Sequence, residues 1–420
     1  MEIETKCLHS GYEPENGKPQ TLPIYQSTTF KYHSTDEVAK LFDLTQDGFF
    51  YSRLANPTVD AVEKKIADLC GGAGALMTSS GQSANMLAML NFIGSGDHFI
   101  SSSAIYGGTL NLFNVTFKKL GIDVTFVDNN ATEEEIMASV RPNTKAIFGE
   151  TISNPTIEIF DIERFAKIAH KIGVPLVVDN TFATPYLLRP IEYGADIVTH
   201  STTKYLDGHA LTIGGVIVDS GKFDWTNGKY PEFTEPDESY HGVVYTKDFA
   251  ACPYIVKARV QLMRDMGVCQ SAFGAFLVNQ GIETLPVRMD RHCENADKIA
   301  KFLQTCPQVE NVSYPTLENY KQKELYKKYF KKGASGVIAF ELKGGREAGA
   351  RFIDNLKIVS LLVHVADIRT CVLHPASSTH RQLTDEQLKA GGVTPGLIRL
   401  SVGLENADDI IADIKQALEA

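Results

Sequence analysis

The chain has 420 residues, of which 43% are hydrophobic and 22% are charged, and its formal net charge is −10. This length predicts two or three domains with a large buried core, and the moderate charge content argues against a disordered chain. The excess of acidic residues argues against non-specific binding to nucleic acid, which depends on Lys and Arg side chains that neutralise phosphates.

The sequence gives expectations for membrane association, cell compartment and the redox state of its cysteines. No run of about 18 apolar residues occurs, so we expect neither a transmembrane helix nor a membrane partner. Residues 1–9 are mixed and charged, unlike a signal peptide, and we expect a cytoplasmic protein. The seven cysteines form no CxxC pair, which indicates reduced thiols and no metal site.

The pattern of the chain changes near residue 57. Residues 1–56 have no strong periodicity and several prolines, and we interpret them as an extended arm lying on the body of the protein or on another subunit. Short apolar runs then alternate with amphipathic segments. Strands are predicted at 75–78, 98–101, 123–127, 146–150, 175–179, 197–201 and 215–218, and helices at 58–70, 81–91, 109–120, 132–139 and 162–172.

This alternation predicts an α/β fold with a mostly parallel sheet covered by helices on both faces. Ligands of such sheets bind outside the carboxyl ends of the strands. Residues 221–245, rich in aromatic residues, Gly and Pro, are predicted to be an inserted loop, and β runs at 337–342 and 397–402 indicate a smaller C-terminal α/β domain. The predicted units are an arm at 1–56, a central domain at 57–260 and a C-terminal domain at 261–420.

The most informative segment is HSTTKYLDGH at 200–209, directly after a predicted strand. Lys204 follows Ser201, Thr202 and Thr203, whose hydroxyls can hydrogen-bond a phosphate. Burial would lower the pKa of Lys204 and free its amine to form an imine with an aldehyde. The alternative is an ordinary solvent-exposed lysine, which the neighbouring hydroxyls and imidazoles disfavour.

Two other segments also follow predicted strands. Asp179 comes after the apolar run 174–178, and it would either pair with a protonated pyridine nitrogen or cap a helix. In TSSGQS at 78–83, Ser80 and Gly81 would let a phosphate approach the N–H groups of a helix N-terminus, although a plain serine N-cap is the simpler interpretation. The glycines at 71–74 precede a strand and lack GxGxxG spacing, which excludes an NAD-binding loop.

Two arginines and a tyrosine complete the candidates. Arg53 lies in YSRLANP at 51–57, and Arg399 lies inside an apolar β run. The fork of an arginine among apolar residues suits a carboxylate or phosphate, whereas an alternating strand would point Arg399 to solvent. Tyr106 would stack on a flat cofactor ring or be an ordinary tyrosine of the core or surface.

Six segments in this order resemble the cysteine/methionine-metabolism enzymes of fold type I, which depend on pyridoxal 5′-phosphate (PLP). They lie at 51–58, 79–82, 106–108, 178–181, 201–205 and 399–405. The resemblance implies PLP as cofactor and a seven-stranded, mostly parallel central sheet in a PLP-binding domain, here 57–260. It also implies the smaller C-terminal domain and the N-terminal arm.

The resemblance also implies roles for single residues. Lys204 is similar to the lysine that forms the Schiff base and moves protons, and Asp179 to the partner of the pyridine nitrogen. Tyr106 is similar to the ring stacked on the cofactor and is, with Lys204, a predicted catalytic residue. The implied phosphate cup consists of Ser80, Gly81, Gln82, Ser201 and Thr203.

The remaining implied contacts reach the substrate and a second subunit. Asn154 would contact the cofactor hydroxyl or the substrate, and Ser360 and Arg399 would hold the substrate's α-carboxylate. Tyr51 and Arg53 would reach the phosphate site of the neighbouring subunit, with Tyr51 also touching substrate. These last contacts imply a homo-oligomer, usually a tetramer built from dimers with shared active sites.

Two features bear on the substrate. Residues 221–228 and 236–242 resemble an insertion of the O-acetylhomoserine sulfhydrylases within this family, and Gly108 stands where methionine γ-lyases usually carry cysteine. The resemblance implies γ-replacement, in which O-acetyl-L-homoserine and sulfide, or another thiol, give L-homocysteine and acetate for methionine biosynthesis. Methionine γ-lyase, cystathionine γ-synthase-type or aminotransferase activity and a non-catalytic PLP protein are the alternatives, and the acyl group stays open between acetyl, succinyl and phospho.

Overall fold

The computed structural model describes residues 1–378 and 394–420. Its larger sheet has seven strands in the order β1-β7-β6-β5-β4-β2-β3, with β7 antiparallel to both neighbours and the other pairs parallel. The predicted mostly parallel central sheet is therefore confirmed. The strands are β1 Gly74–Thr78, β2 His98–Ser102, β3 Asp123–Val127, β4 Thr144–Glu150, β5 Leu176–Asp179, β6 Ile197–His200 and β7 Gly215–Asp219.

Both faces of this sheet are covered. In β5, Val177 belongs to one hydrophobic core and Val178 to another. Ile197 and Val198 of β6 divide between the same two cores. Because successive side chains of a strand point to opposite faces, strands with buried residues on both faces have continuous apolar sequences.

The helices vary widely in length. The region predicted as a helix at 109–120 contains a π-helical turn at Leu112–Phe117, and a second π-helical turn covers Ala258–Met263. Three short 3₁₀ helices cover Pro190–Tyr193, Glu238–Tyr240 and Pro375–Ser377. The α-helices are Ile3–His9, Thr35–Phe42, Pro57–Cys70, Gly81–Leu90, Gly107–Asn111, Glu133–Ala138, Ile162–Lys171, Thr184–Leu187, Pro231–Thr234, Tyr245–Asp248, Pro253–Lys257, Arg264–Met266, Ala272–Glu283, Leu285–Thr305, Lys323–Tyr329, Gly345–Asn355 and Ala407–Glu419.

A second, five-stranded sheet has the order β10-β11-β12-β9-β8, in which only β10 and β11 are parallel. Its core includes Ile338, Phe340, Ile398 and Leu400. The predicted boundary at residue 260 falls inside a π-helical turn, and the division into domains stays a prediction. The strands are β8 Val309–Ser313, β9 Val337–Leu342, β10 Ser360–Leu361, β11 Cys371–Leu373 and β12 Leu397–Ser401.

The N-terminal arm is less extended than the sequence predicts, because it contains the helices Ile3–His9 and Thr35–Phe42. The first packs on the body of its own chain: Cys7 is buried, and Lys6 Nζ lies 2.6 Å from Asp68 Oδ1. The expectation of an extended conformation is wrong for these two segments. Tertiary contacts hold a short helix that has little periodicity of its own.

The predicted insertion folds as a packed unit. The indole of Trp225 stacks on Phe233 and Tyr254, with ring centroids 4.4 and 5.3 Å apart. Tyr254 lies in the helix Pro253–Lys257 that follows, so the aromatic residues of the insertion attach it to the predicted central domain. Stacked and edge-on ring contacts of this kind add to the stabilisation from buried apolar area.

A glycine contact in this fold gives a testable prediction. Gly281 lies where a Cβ would overlap the carbonyl oxygens of Leu206 and Asp207. We therefore expect Gly281→Ala to lower the free energy of unfolding by about 1–3 kcal/mol through overpacking. The matched control is Gly94→Ala, since no atom lies within 4 Å of a Cβ there. Urea denaturation followed by circular dichroism measures both, and equal midpoints for the two variants would contradict the packing argument.

Candidate active site

The turn that follows β6 carries Lys204. It is closed by hydrogen bonds from the Lys204 N–H to the Ser201 carbonyl (3.2 Å) and from the Gly208 N–H to the Lys204 carbonyl (2.7 Å). The side chain is largely buried, and its Nζ lies 3.3 Å from Nδ1 of His364. The lysine is thus directed into the protein, as the interpretation of a reactive lysine requires.

The electrostatic surroundings of Lys204 favour its neutral amine. Burial, and then the positive charge of Arg399, lower its pKa to about 8, although Cys371 opposes the shift. An ordinary lysine has a pKa of about 10.4. A substantial fraction of Lys204 is therefore unprotonated just above neutral pH, which is the form that reacts with carbonyl groups and accepts protons.

Asp179 ends β5 beside this turn. Thr181 donates its N–H (3.0 Å) and its hydroxyl (2.5 Å) to Oδ1 of Asp179, and Asn85 donates to Oδ2 (3.0 Å). The hydroxyl of Thr181 also accepts the N–H of Ser201 (2.9 Å), which ties Asp179 to the lysine turn. Burial raises the pKa of Asp179 and these hydrogen bonds oppose it. Because the next helix begins only at Thr184, Asp179 is not a helix N-cap.

The segment at 79–82 lies against the same turn. Ser80 is the N-cap of the helix Gly81–Leu90, and its hydroxyl accepts the Ser83 N–H at 3.1 Å. A Cβ on Gly81 would lie 2.5 Å from Cβ of Ser201. The helix N-terminus and Ser201 are therefore adjacent, and the first N–H groups of a helix lack intrahelical partners. This arrangement has the donors of an anion site.

Two other members of the predicted phosphate cup make hydrogen bonds within the protein. The hydroxyl of Thr203 donates to the Gly214 carbonyl (3.1 Å) and accepts the Gly214 N–H (3.0 Å). Gln82 Nε2 donates to the Gly108 carbonyl at 3.0 Å. Gln82 therefore tethers the segment that carries Tyr106, a residue that is 47% exposed.

Arg399 is only 8% exposed and lies in β12, the central strand of the smaller sheet. This burial decides against a solvent-facing side chain. Nη1 donates to Oδ1 of Asn154 and Nη2 to the carbonyl of His364, both at 3.2 Å. Its Nε is buried without a hydrogen-bond partner, and among the described residues no carboxylate forms an ion pair with it. A buried, unpaired guanidinium fits an anionic ligand.

Three predicted residues are not brought to this cluster by hydrogen bonds. Ser360 is exposed in β10, where its N–H donates to the Thr370 carbonyl, and its clamp role stays a prediction. Tyr51 is 38% exposed, and the Arg53 guanidinium lies over its ring and donates to the Arg264 carbonyl. Within residues 1–378 and 394–420, no hydrogen bond joins Tyr51 or Arg53 to Lys204.

Three neighbours of the site were missed in the sequence. His364 contacts Lys204, and Asn85 contacts Asp179. Glu150 Oε2 accepts the N–H of Tyr106 at 2.6 Å. Glu150 had a usable signal, because it ends a predicted strand as Asp179 does. His364 had none, since its segment has no pattern that distinguishes it.

The described part of the chain contains neither a metal-binding cluster nor a membrane-spanning helix. There, no group of three or more His, Cys, Asp or Glu side chains is arranged to hold a metal ion. Nor does any helix within it combine the length and hydropathy needed to cross a bilayer.

An α/β fold with a mostly parallel sheet, a buried lysine beyond one strand end and a buried carboxylate at the next defines a PLP-dependent enzyme of fold type I. The chain belongs to the family described as Cys/Met metabolism PLP-dependent enzyme, which matches residues 4–419. The resemblance seen in the sequence is thereby confirmed, as is PLP as the cofactor.

Similar proteins span the whole chain. O-acetyl-L-homoserine sulfhydrylase of Leptospira meyeri is 48% identical over 426 residues, covering 99% of this chain and 96% of that protein. Homocysteine synthase of Schizosaccharomyces pombe is 48% identical, covering 99% and 98%. A crystal structure described as an O-acetylhomoserine (thiol)-lyase of Campylobacter jejuni, containing N′-pyridoxyl-lysine-5′-monophosphate, has a TM-score of 0.96 and 39% identity, with 100% of both chains covered.

The lowered pKa of Lys204 leads to a testable prediction. In the PLP-free protein, labelling of Lys204 by acetic anhydride should rise with a midpoint near pH 8, and Arg399→Met should move this midpoint upward by removing a nearby positive charge. Peptide mass spectrometry measures the labelling. Arg351→Met, which changes an exposed arginine, is the control. A wild-type midpoint near about 10.4, the value for an ordinary lysine, would contradict the prediction.

Proposed function

We propose that this protein catalyses γ-replacement: O-acetyl-L-homoserine and sulfide give L-homocysteine and acetate. The convergence of Lys204, Asp179 and the unpaired Arg399 at the carboxyl edge of the central sheet supports PLP chemistry on an amino acid. The relatives named O-acetyl-L-homoserine sulfhydrylase and homocysteine synthase, which match nearly the full chain, support the choice of substrate.

The residues present fit PLP. Asp179 offers a buried carboxylate for the pyridine nitrogen, and Lys204 a largely buried amine for the aldehyde. The donors at the N-terminus of the helix Gly81–Leu90 suit the phosphate, and the small volume of Gly81 leaves room beside Ser201. We assign the phosphate to Ser80, Gly81, Gln82, Ser201 and Thr203, the ring face to Tyr106, and the ring hydroxyl or substrate to Asn154.

Bound PLP supplies an electron-poor ring that takes up the electron pair left when a proton leaves the carbon bearing the amino group. Lys204 moves the protons. Its unprotonated Nζ accepts the proton from Cα of the substrate, and its flexible stem lets the same amine serve Cβ and return a proton later. The carboxylate of Asp179, stabilised by Thr181 and Asn85, keeps the ring nitrogen protonated.

Arg399 orients the substrate in this proposal. Its Nε has no partner, while Nη1 and Nη2 are held by Asn154 and the His364 carbonyl. Binding of the substrate's α-carboxylate would satisfy the buried donor and neutralise the charge that repels a proton from Lys204. Binding of the α-carboxylate by Arg399 would bring Cα, rather than the acyl end, nearest the lysine.

The proposed reaction gives a testable prediction. With sulfide and O-acetyl-L-homoserine, the protein should release homocysteine and acetate in equal amounts, and O-succinyl-L-homoserine should react more slowly. Lys204→Ala should lose both the yellow colour of the holoenzyme and acetate release, because the amine that holds PLP and moves protons is gone. Chromatography of products measures both.

Competing substrates define the outcomes against the proposal. Methanethiol and 2-oxobutyrate from methionine alone would indicate γ-elimination, and cystathionine formed preferentially from cysteine would indicate the cystathionine γ-synthase type. Transfer of the amino group to a 2-oxoacid would indicate an aminotransferase. Acetate release by Lys204→Ala at the wild-type rate would refute the role of Lys204.

We also propose a cytoplasmic tetramer built from dimers with shared active sites. In one chain Tyr51 is partly exposed, and Arg53 makes its hydrogen bond to Arg264 rather than to the lysine turn. The proposed arrangement has Tyr51 and Arg53 reach the phosphate donors of the neighbouring subunit. A site assembled from two chains is typical of symmetric dimers in which each subunit completes the other's site.

Subunit mixing tests this arrangement. A hybrid dimer of Lys204→Ala and Arg53→Ala chains, isolated with two affinity tags, contains one site in which both residues are wild type if the sites are shared. We therefore expect about half of the wild-type activity from the hybrid, by the symmetry of the dimer, and far less from either variant alone. A hybrid no more active than the mean of its two parents would refute shared sites.

A further inference from the structure

Glu150 and Asp179 form a buried pair of carboxyl groups. They end the neighbouring parallel strands β4 and β5 and lie opposite each other in the register. Their exposed fractions are only 5% and 8%. Ionising both of two adjacent carboxyl groups that contact so little water would cost much free energy, so one of them holds a proton.

Hydrogen bonding decides which group is protonated. Asp179 accepts three hydrogen bonds, two from Thr181 and one from Asn85. Within the described residues, a single hydrogen bond, from the Tyr106 N–H, reaches the Glu150 carboxyl. Because donors stabilise the charged form, the negative charge belongs on Asp179. Burial and the charge of Asp179 raise the pKa of Glu150 well above its ordinary value, in agreement with this assignment.

The Glu150 carboxyl accepts a hydrogen bond from the backbone of Tyr106. Tyr106 is the last residue before the helix Gly107–Asn111, and its N–H donates to Glu150 Oε2 at 2.6 Å. Its ring folds over Gly108, where a Cβ would lie 2.5 Å from Cε1 of the ring. The Tyr106 carbonyl accepts the N–H groups of Thr109 and Leu110 at the start of this helix. Glu150 is the acceptor for the Tyr106 N–H.

We infer that Glu150 is a positioning residue that acts as a neutral carboxylic acid: it holds the backbone of Tyr106 so that the tyrosine ring faces the cofactor, while Asp179 keeps the negative charge. This inference rests on the proposed contact of Tyr106 with PLP. It predicts that an amide serves in place of the acid at residue 150, since a glutamine keeps both the acceptor oxygen and the neutral state.

The test is the affinity of the PLP-free protein for PLP, titrated by absorbance. Glu150→Gln should bind within about twofold of wild type. Glu150→Ala should bind roughly tenfold more weakly, the effect of losing the hydrogen bond that holds the Tyr106 N–H. Glu150→Met keeps the volume without the acceptor, and it should also bind roughly tenfold more weakly than wild type. It replaces the alanine variant as the test if Glu150→Ala folds poorly.

A double-mutant cycle isolates the route through Tyr106. If Glu150 acts by positioning this ring, Glu150→Ala combined with Tyr106→Ala should bind PLP no more weakly than Tyr106→Ala alone. Additive losses would overturn the inference, as would wild-type affinity in both Glu150→Ala and Glu150→Met. Equal weakness of Glu150→Gln and Glu150→Ala would overturn the neutral-acid assignment. A wild-type protein that fails to bind PLP would refute the proposed function as well, whereas normal wild-type binding confines a failure to Glu150.

Discussion

A negative charge on Asp179 has to be maintained at a nearly buried position, and much of the site is arranged around that constraint. Thr181 and Asn85 donate hydrogen bonds to the carboxylate. The Thr181 hydroxyl also accepts the N–H of Ser201, at the start of the lysine turn. A buried carboxylate without such donors would take up a proton. The lysine turn is therefore positioned by the same hydroxyl that stabilises the charge.

The positive charge of Arg399 is a second electrostatic influence on the site. The guanidinium of Arg399 lowers the pKa of Lys204, and no carboxylate among the described residues neutralises it. The buried guanidinium of Arg399 favours an anionic ligand even in a protein of net charge −10. Local charge rather than net charge governs such recognition. The positive charge of Arg399 thus favours a carboxylate ligand and, together with burial, helps to keep Lys204 unprotonated.

The insertion and the arm are linked through the helical region at 253–266. Arg264 lies over the ring of Tyr240 in the insertion, and its carbonyl accepts the guanidinium of Arg53. Arg259, in the π-helical turn, donates to the Leu54 carbonyl at 2.7 Å. The part of the arm that bears Tyr51 and Arg53 is consequently held by the same helix on which the insertion packs.

The sequence by itself determined the alternation of strands and helices, the mostly parallel central sheet and the candidates Lys204 and Asp179. This was possible because apolar runs are local signals, and because parallel strands end at one edge, so residues after different strands meet there. It also showed the family, since the order of six short segments does not depend on knowing their contacts.

Only the tertiary structure decided the rest. Arg399 is buried because β12 is the central strand of its sheet, and it meets Asn154 across a separation of 245 residues. Glu150, Asn85 and His364 gain their relevance from neighbours that are distant in the chain. The short helices of the arm depend on packing rather than on periodicity. Burial and the lowered pKa of Lys204 are likewise properties of three-dimensional surroundings, which no local pattern specifies.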